Sequence, residues 1–269
     1  MNRIILIALI SFFGLNGNAQ ENQAFTSLKI GNLQSTNTLE KGTFCTTISH
    51  RFGTIKGGVN TFFGLDYGNT KFQFLYGITD VFQISLSRES VRKTIGGALK
   101  WGLMSQTNGA QINLSAYSTI NANTELSKEV YPKMLFYDRL SYTTQLIASR
   151  AFTNKFSFEL APTFVRQNLV HEPFQLHNQW ACGLGGRYKI ANHIELIMDY
   201  VMNFSRAPES IYNDPLTLGV NFETERHVFQ VLLSNAQSTN EPGFISNAEG
   251  SWLDGEIYLG FNLVRTFKR

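Results

Sequence analysis

Residues 71–87, KFQFLYGITDVFQISLS, decide the fold. In an extended chain successive side chains point to opposite faces, so Phe72, Phe74, Tyr76 and Ile78 share one face while Lys71 and Gln73 take the other. Thr79 and Asp80 then supply turn chemistry before a second extended run at 82–87. A strand apolar on one face and charged on the other, joined to its neighbour by a tight turn, is the unit of a β-hairpin.

The unit recurs along the chain. Alternating segments fall at 43–52, 71–78, 82–87, 94–104, 111–121, 140–150, 156–166, 179–188, 193–203, 216–223, 227–234 and 256–267. Connections at 79–80, 107–109, 153–154, 191–192 and 224–225 are short. Those at 53–70, 88–93, 122–139, 167–178, 204–215 and 235–254 are mostly long. Long loops alternating with tight turns mark a transmembrane antiparallel up-and-down β-barrel, with long loops extracellular and short turns periplasmic. Twelve strands are expected, the first pairing with the last, with Thr79-Asp80 periplasmic and Phe62-Phe63 external.

The faces follow from parity. Ile194, Leu196, Met198, Tyr200 and Met202 in the ninth segment, and Ile257, Leu259, Phe261 and Leu263 in the last, are assigned to lipid. Lys71, Lys100, Glu159, Arg187, Glu195, Asp199 and Glu256 are assigned to the lumen with Arg51, among glycines such as Gly183 and Gly185. A soluble barrel would bury its apolar face instead. Trp101, Tyr142, Trp180 and Tyr188 at strand ends fit interfacial girdles, and Pro162 predicts a local bulge. With equal numbers of bases and acids, the lumen charges are expected to pair with one another, and Arg187 is expected directly opposite Glu195.

The ends of the chain set the compartment. Asn2 and Arg3, an apolar run at 4–15 and the small residues Gly17 and Ala19 read as a signal peptide over 1–19. That run is too short to span a bilayer as a helix. The polar segment 20–42 is left open as a tail, a plug or an extra strand, and 43–269 is the barrel. Losing Arg3 with the leader takes the basic residues from 23 to 22 against 20 acidic ones, a balance that gives no reason to expect nucleic acid. The 22 phenylalanines and 16% charged residues suit a surface coated by outer-membrane lipid.

Chemistry is sparse. The histidines show no metal-ligand spacing; His171 and His177, flanking Glu172 in one loop, read as solvated. Cys45 and Cys182 fall on opposite faces and are not expected to bond. No catalytic residue, metal or cofactor is expected. Segment 53–70 is unusually apolar at Phe62, Phe63 and Leu65, which predicts that it folds over the barrel mouth as an occluding loop or contacts a partner.

Five short motifs in order carry a family resemblance: His50-Arg51-Phe52-Gly53, Phe62-Phe63-Gly64-Leu65-Asp66, Tyr76-Gly77-Ile78-Thr79-Asp80, His227-Val228-Phe229-Gln230 and Gly260-Phe261-Asn262-Leu263-Val264-Arg265. Together they resemble an uncharacterised β-barrel family of Bacteroidota-type outer membranes, a domain of unknown function. The resemblance implies a fold and a bacterial outer-membrane location, and no activity. The final strand also resembles an insertion signal, with Gly260, Leu263 and Phe267, although the chain ends two residues beyond that aromatic. The function expected is a narrow or gated porin-like pore for small polar solutes. The alternative is a non-conducting subunit that meets another envelope protein through its external loops.

Overall fold

A computed structural model describes residues 23–267. The signal peptide assigned to 1–19 lies outside the described residues. Among them, twelve strands form one closed antiparallel barrel. In chain order they are β1 (Phe44–Thr54), β2 (Gly68–Thr79), β3 (Phe82–Glu89), β4 (Thr94–Met104), β5 (Asn113–Asn123) and β6 (Leu140–Ala151). The second half comprises β7 (Phe156–Gln167), β8 (Asn178–Ala191), β9 (Ile194–Asn203), β10 (Leu216–Glu223), β11 (His227–Ser234) and β12 (Tyr258–Phe267). β1 and β12 close the barrel in a register running from Phe44 opposite Phe267 to Arg51 opposite Gly260. Closure leaves no free sheet edge, as a bilayer requires.

Parity holds around the barrel. Phe72, Phe74, Tyr76, Leu196 and Met198 are exposed on the outside, while Lys71, Lys100, Glu159, Arg187, Glu195 and Asp199 are buried inside. Cys45 faces inward, Cys182 lies on the outer face, and both thiols are free.

Three local expectations are corrected. Pro162 makes no bulge: the β6–β7 register is the same on both sides of it, and only the pairs around Leu146–Ile147 are missing, because proline has no N–H to donate. Arg187 stands opposite Ile197, and Lys189 takes the place opposite Glu195, since an irregularity between Lys189 and Ala191 offsets the hairpin. Glu256 is not in the lumen. β12 begins at Tyr258, so Glu256 lies in the preceding turn, a third exposed, and its carboxylate meets Lys56 Nζ at 2.7 Å. That partner holds the Lys56 ammonium above its ordinary pKa.

The 20–42 segment, as far as it is described, is neither a tail nor a thirteenth strand. It enters the barrel and reverses in a tight hairpin, with Ile30 N donating to Leu33 O at 2.9 Å, Ser35 N to Leu28 O at 3.0 Å, and Lys29 bridging to Gln34. The apolar core is therefore inside the barrel. Leu33 packs with Val165, Ala181, Val201, Phe244 and Ile245, and Ile30 packs with Phe25, Ile197 and Leu232.

Candidate functional site

The lumen wall grips this hairpin through polar side chains. Asp199 Oδ2 accepts from Asn32 N at 2.7 Å, and Arg51 Nη2 donates to Asn32 Oδ1 at 2.8 Å. Asn32 Nδ2 in turn reaches Thr217 Oγ1 at 3.0 Å and Ser234 Oγ at 3.2 Å. Carbonyls along the hairpin are satisfied in sequence: Gln230 Nε2 donates to Ile30 O at 2.7 Å, Asn262 Nδ2 to Gly31 O at 2.9 Å, and Lys100 Nζ to Ser35 O at 3.0 Å. Glycines make the room. A Cβ on Gly185 would lie 2.2 Å from Ile30 Cδ1, and one on Gly183 would lie 2.8 Å from Leu33 Cδ1.

A second insertion closes the opposite side. The β11–β12 connection turns inward through helix α1 (Glu241–Ser246), capped by Asn240 Oδ1 accepting from Gly243 N at 2.8 Å. Phe244 and Ile245 are fully buried against the tip of the hairpin. Glu89 on β3 anchors the approach, accepting from Thr239 N at 2.7 Å and from the Asn240 carboxamide. The two insertions touch: Gln34 Nε2 donates to Glu241 Oε1 at 2.9 Å, which also accepts from Tyr117 OH at 2.9 Å. Lys29 Nζ and Lys71 Nζ share the Thr239 carbonyl, each at 3.4 Å.

This geometry revises how the lumen charges act. Of the residues assigned to the lumen, Lys71, Lys100 and Asp199, together with Arg51, are committed to the insertions rather than to one another. Glu159 is fully buried on β7. One wall pair does form, Arg187 Nη1 to Glu195 Oε1 at 2.9 Å, reached diagonally and supported by Ser157 Oγ at 3.1 Å. Removing one member of a buried pair strands the other, at ~3–5 kcal/mol. Arg187→Ala should therefore lower the unfolding free energy by about 3 kcal/mol in urea titrations of the folded barrel. A loss below about 1 kcal/mol would mean that water already screens the pair.

The loop expected to occlude the mouth does not. Ile55–Gly64 forms a 3-10 turn in which Phe62 and Phe63 are 60% and 52% exposed, and Leu65 is exposed beside them. Gly53 N to Tyr67 O at 3.0 Å and Ile55 N to Ile257 O at 2.9 Å tie the loop to the ends of β1 and the β12 approach. The space it was expected to fill is taken by α1 and the hairpin. Phe62 and Phe63 also sit at positive φ, 46° and 54°, a conformation costly for such residues.

Two cavities flank the insertions. One, of about 770 Å³, opens among the long loops and is lined in part by the β11–β12 connection, including Gln237, Asn240 and Asn247. The other, of about 290 Å³, lies beside the hairpin's entry at the short-turn end. They share no lining residue.

Comparison with known proteins agrees with this architecture. A family described as a membrane-bound beta barrel domain, DUF5777, matches residues 25–267, and so takes in the hairpin as well as the strands. The chain belongs to this family. An outer membrane channel of Pseudomonas putida F1 is similar in structure at 15% identity, covering 86% of this chain and 98% of that one, with a TM-score of 0.50. The KdgM porin is similar at 6% identity, covering 84% and 99%, also at 0.50. Such identities show a shared fold and nothing finer. No curated protein matches the chain. The DUF5777 barrel is an outer-membrane protein, and its hairpin enters at the short-turn end.

Proposed function

We propose that the barrel is a gated, non-enzymatic channel for small polar solutes, closed at rest by the hairpin and the α1 loop. One observation carries this: the lumen wall commits its charged and amide groups to two chain segments that belong to no strand of the barrel. A permanently filled barrel has no need of buried charges, since replacing them by apolar packing of the same shape is often neutral or stabilising. A lumen that is wet in one state needs such groups. Hydrogen bonds of this kind contribute ~1 kcal/mol each, so so large a set holds the closed state by several kcal/mol, and opening requires a ligand or partner. The channel and porin names of two structural neighbours support the reading by analogy only.

The test is current through planar bilayers. The intact chain should be nearly silent. Asn32→Ala loosens the hairpin, Glu89→Ala frees the loop, and the two together should open the barrel far more often than either alone. If the double variant shows faster proteolysis of both segments yet passes no current, the channel reading fails. The exposed Phe62 and Phe63 would then favour the second reading, a non-conducting subunit that docks an envelope partner.

A further inference from the structure

The outer cavity sorts its lining by chemistry. Its carboxylates Glu125, Glu172 and Glu249 are exposed toward the mouth, while Arg92, also exposed, turns its guanidinium inward to within 3.2 Å of the Asn247 carboxamide. Two others are already engaged, Arg139 Nη1 with the Asn123 carbonyl at 3.2 Å and Asp138 Oδ2 with Leu135 N at 2.8 Å. Beside that guanidinium, the sealed end is rich in carboxamides and hydroxyls. Gln167, Gln175, Asn240 and Thr94 are buried there, and the Asn247 carboxamide lies within hydrogen-bond distance of both glutamines and of Arg92. These carboxamides are engaged with one another, with Glu89 and with backbone N–H groups, and because each both donates and accepts they can exchange such partners for a ligand's hydroxyls. Tyr131 and Tyr258 add aromatic faces, and Leu126, Val130 and Leu169 an apolar wall for C–H surface.

We propose that this vestibule is a binding site for a neutral, hydroxyl-rich solute, a short saccharide. Arg92 is the cation that reaches the sealed end, but it is engaged by Asn247 and shares the cavity with the rim carboxylates Glu125, Glu172 and Glu249, which disfavours an anion; a polyamine would need a carboxylate at the sealed end, whereas these lie at the rim. A volume of about 770 Å³ lies within the usual range for small-molecule sites. Asn240 and Asn247 belong to the loop that closes the lumen, so a bound saccharide touches the gate itself. Binding shifts the gate only if the open loop holds the sugar better.

As the solute class of the channel, the proposal rests on the channel reading; as a binding site it stands on the cavity alone. Binding is therefore measured at equilibrium on the full chain in detergent, with maltotriose as the neutral probe and spermidine and citrate as charged ones. Maltotriose should bind in the millimolar range or better. Tyr131→Ala, at an exposed position, and Gln175→Ala should each weaken it about tenfold while the heat-dependent gel mobility of the barrel stays unchanged. No binding at tens of millimolar, tighter binding of spermidine or citrate, or indifference to both substitutions would overturn the assignment. Saccharide binding by a protein that never conducts would keep the site and remove the channel; current without saccharide binding would do the reverse.

Discussion

Deleting residues 24–39 should turn a silent barrel into a steadily conducting one. The segment contributes no strand, and closure rests on β1, which begins at Phe44, pairing with β12. Removing it therefore spares the wall. It also takes away Leu33 from beneath Phe244 and Ile245, Gln34 from Glu241 and Lys29 from the Thr239 carbonyl, so the α1 loop loses much of its support. Twelve strands enclose more space than eight, whose side chains fill the interior, and less than sixteen, which leave a free channel. Because each 1.4 kcal/mol is a factor of ten in an equilibrium, losing several kcal/mol of closure should raise mean current by at least about tenfold. The comparison is made on protein that shows the parent's heat-dependent gel mobility and strand content. A folded deletion variant as silent as its parent would leave α1 as a sufficient seal or the barrel as a scaffold, and the double deletion of 24–39 and 237–247 separates those two.

The barrel wall was legible because a bilayer outside and a polar lumen inside impose opposite demands on alternate residues. Phe72 and Lys71 announce their faces by chemistry alone. Strand ends were less legible: Ile257 continues the apolar alternation, yet the ladder starts at Tyr258, and Glu256 consequently points to Lys56 outside the lumen. The 20–42 segment stayed open between a tail, a plug and a strand because its cues are reversed from those of a soluble core. Ser27, Lys29, Asn32, Gln34 and Thr36 are all buried, and a segment of such composition reads as solvated. Only a polar container makes their burial favourable, and no local pattern reveals the container. The α1 loop left a fainter trace. Asn240-Glu241-Pro242 is a helix start, with a capping side chain, an acid and proline in the first turn, followed directly by Phe244-Ile245. Apolar pressure at Phe62 and Phe63 pointed instead to the wrong loop, because hydrophobicity marks a surface to be covered without saying by what.

A single substitution on the wall should distinguish a removable plug from a permanent filling. Gly185 on β8 faces Ile30, and the Cβ of Gly185→Val would clash with Ile30 Cδ1. Its backbone lies outside the left-handed region, so valine suits the strand itself. Overpacking of this kind costs ~1–3 kcal/mol. In a fixed core that cost would destabilise the whole protein. Here the hairpin can leave instead, and the open fraction should rise roughly five- to 150-fold with little change in barrel unfolding. Ile30→Val supplies the check, since it deletes the clashing Cδ1 at a modest cost of ~0.5–1.5 kcal/mol. Combined with Gly185→Val it should return the current most of the way to the parental level, a coupling that two independent defects would not show. Current that stays high in the double variant would locate the damage in the β7–β8–β9 wall. Gly185→Val that leaves current unchanged while lowering the unfolding midpoint would mean that the hairpin is part of the core and does not gate the lumen.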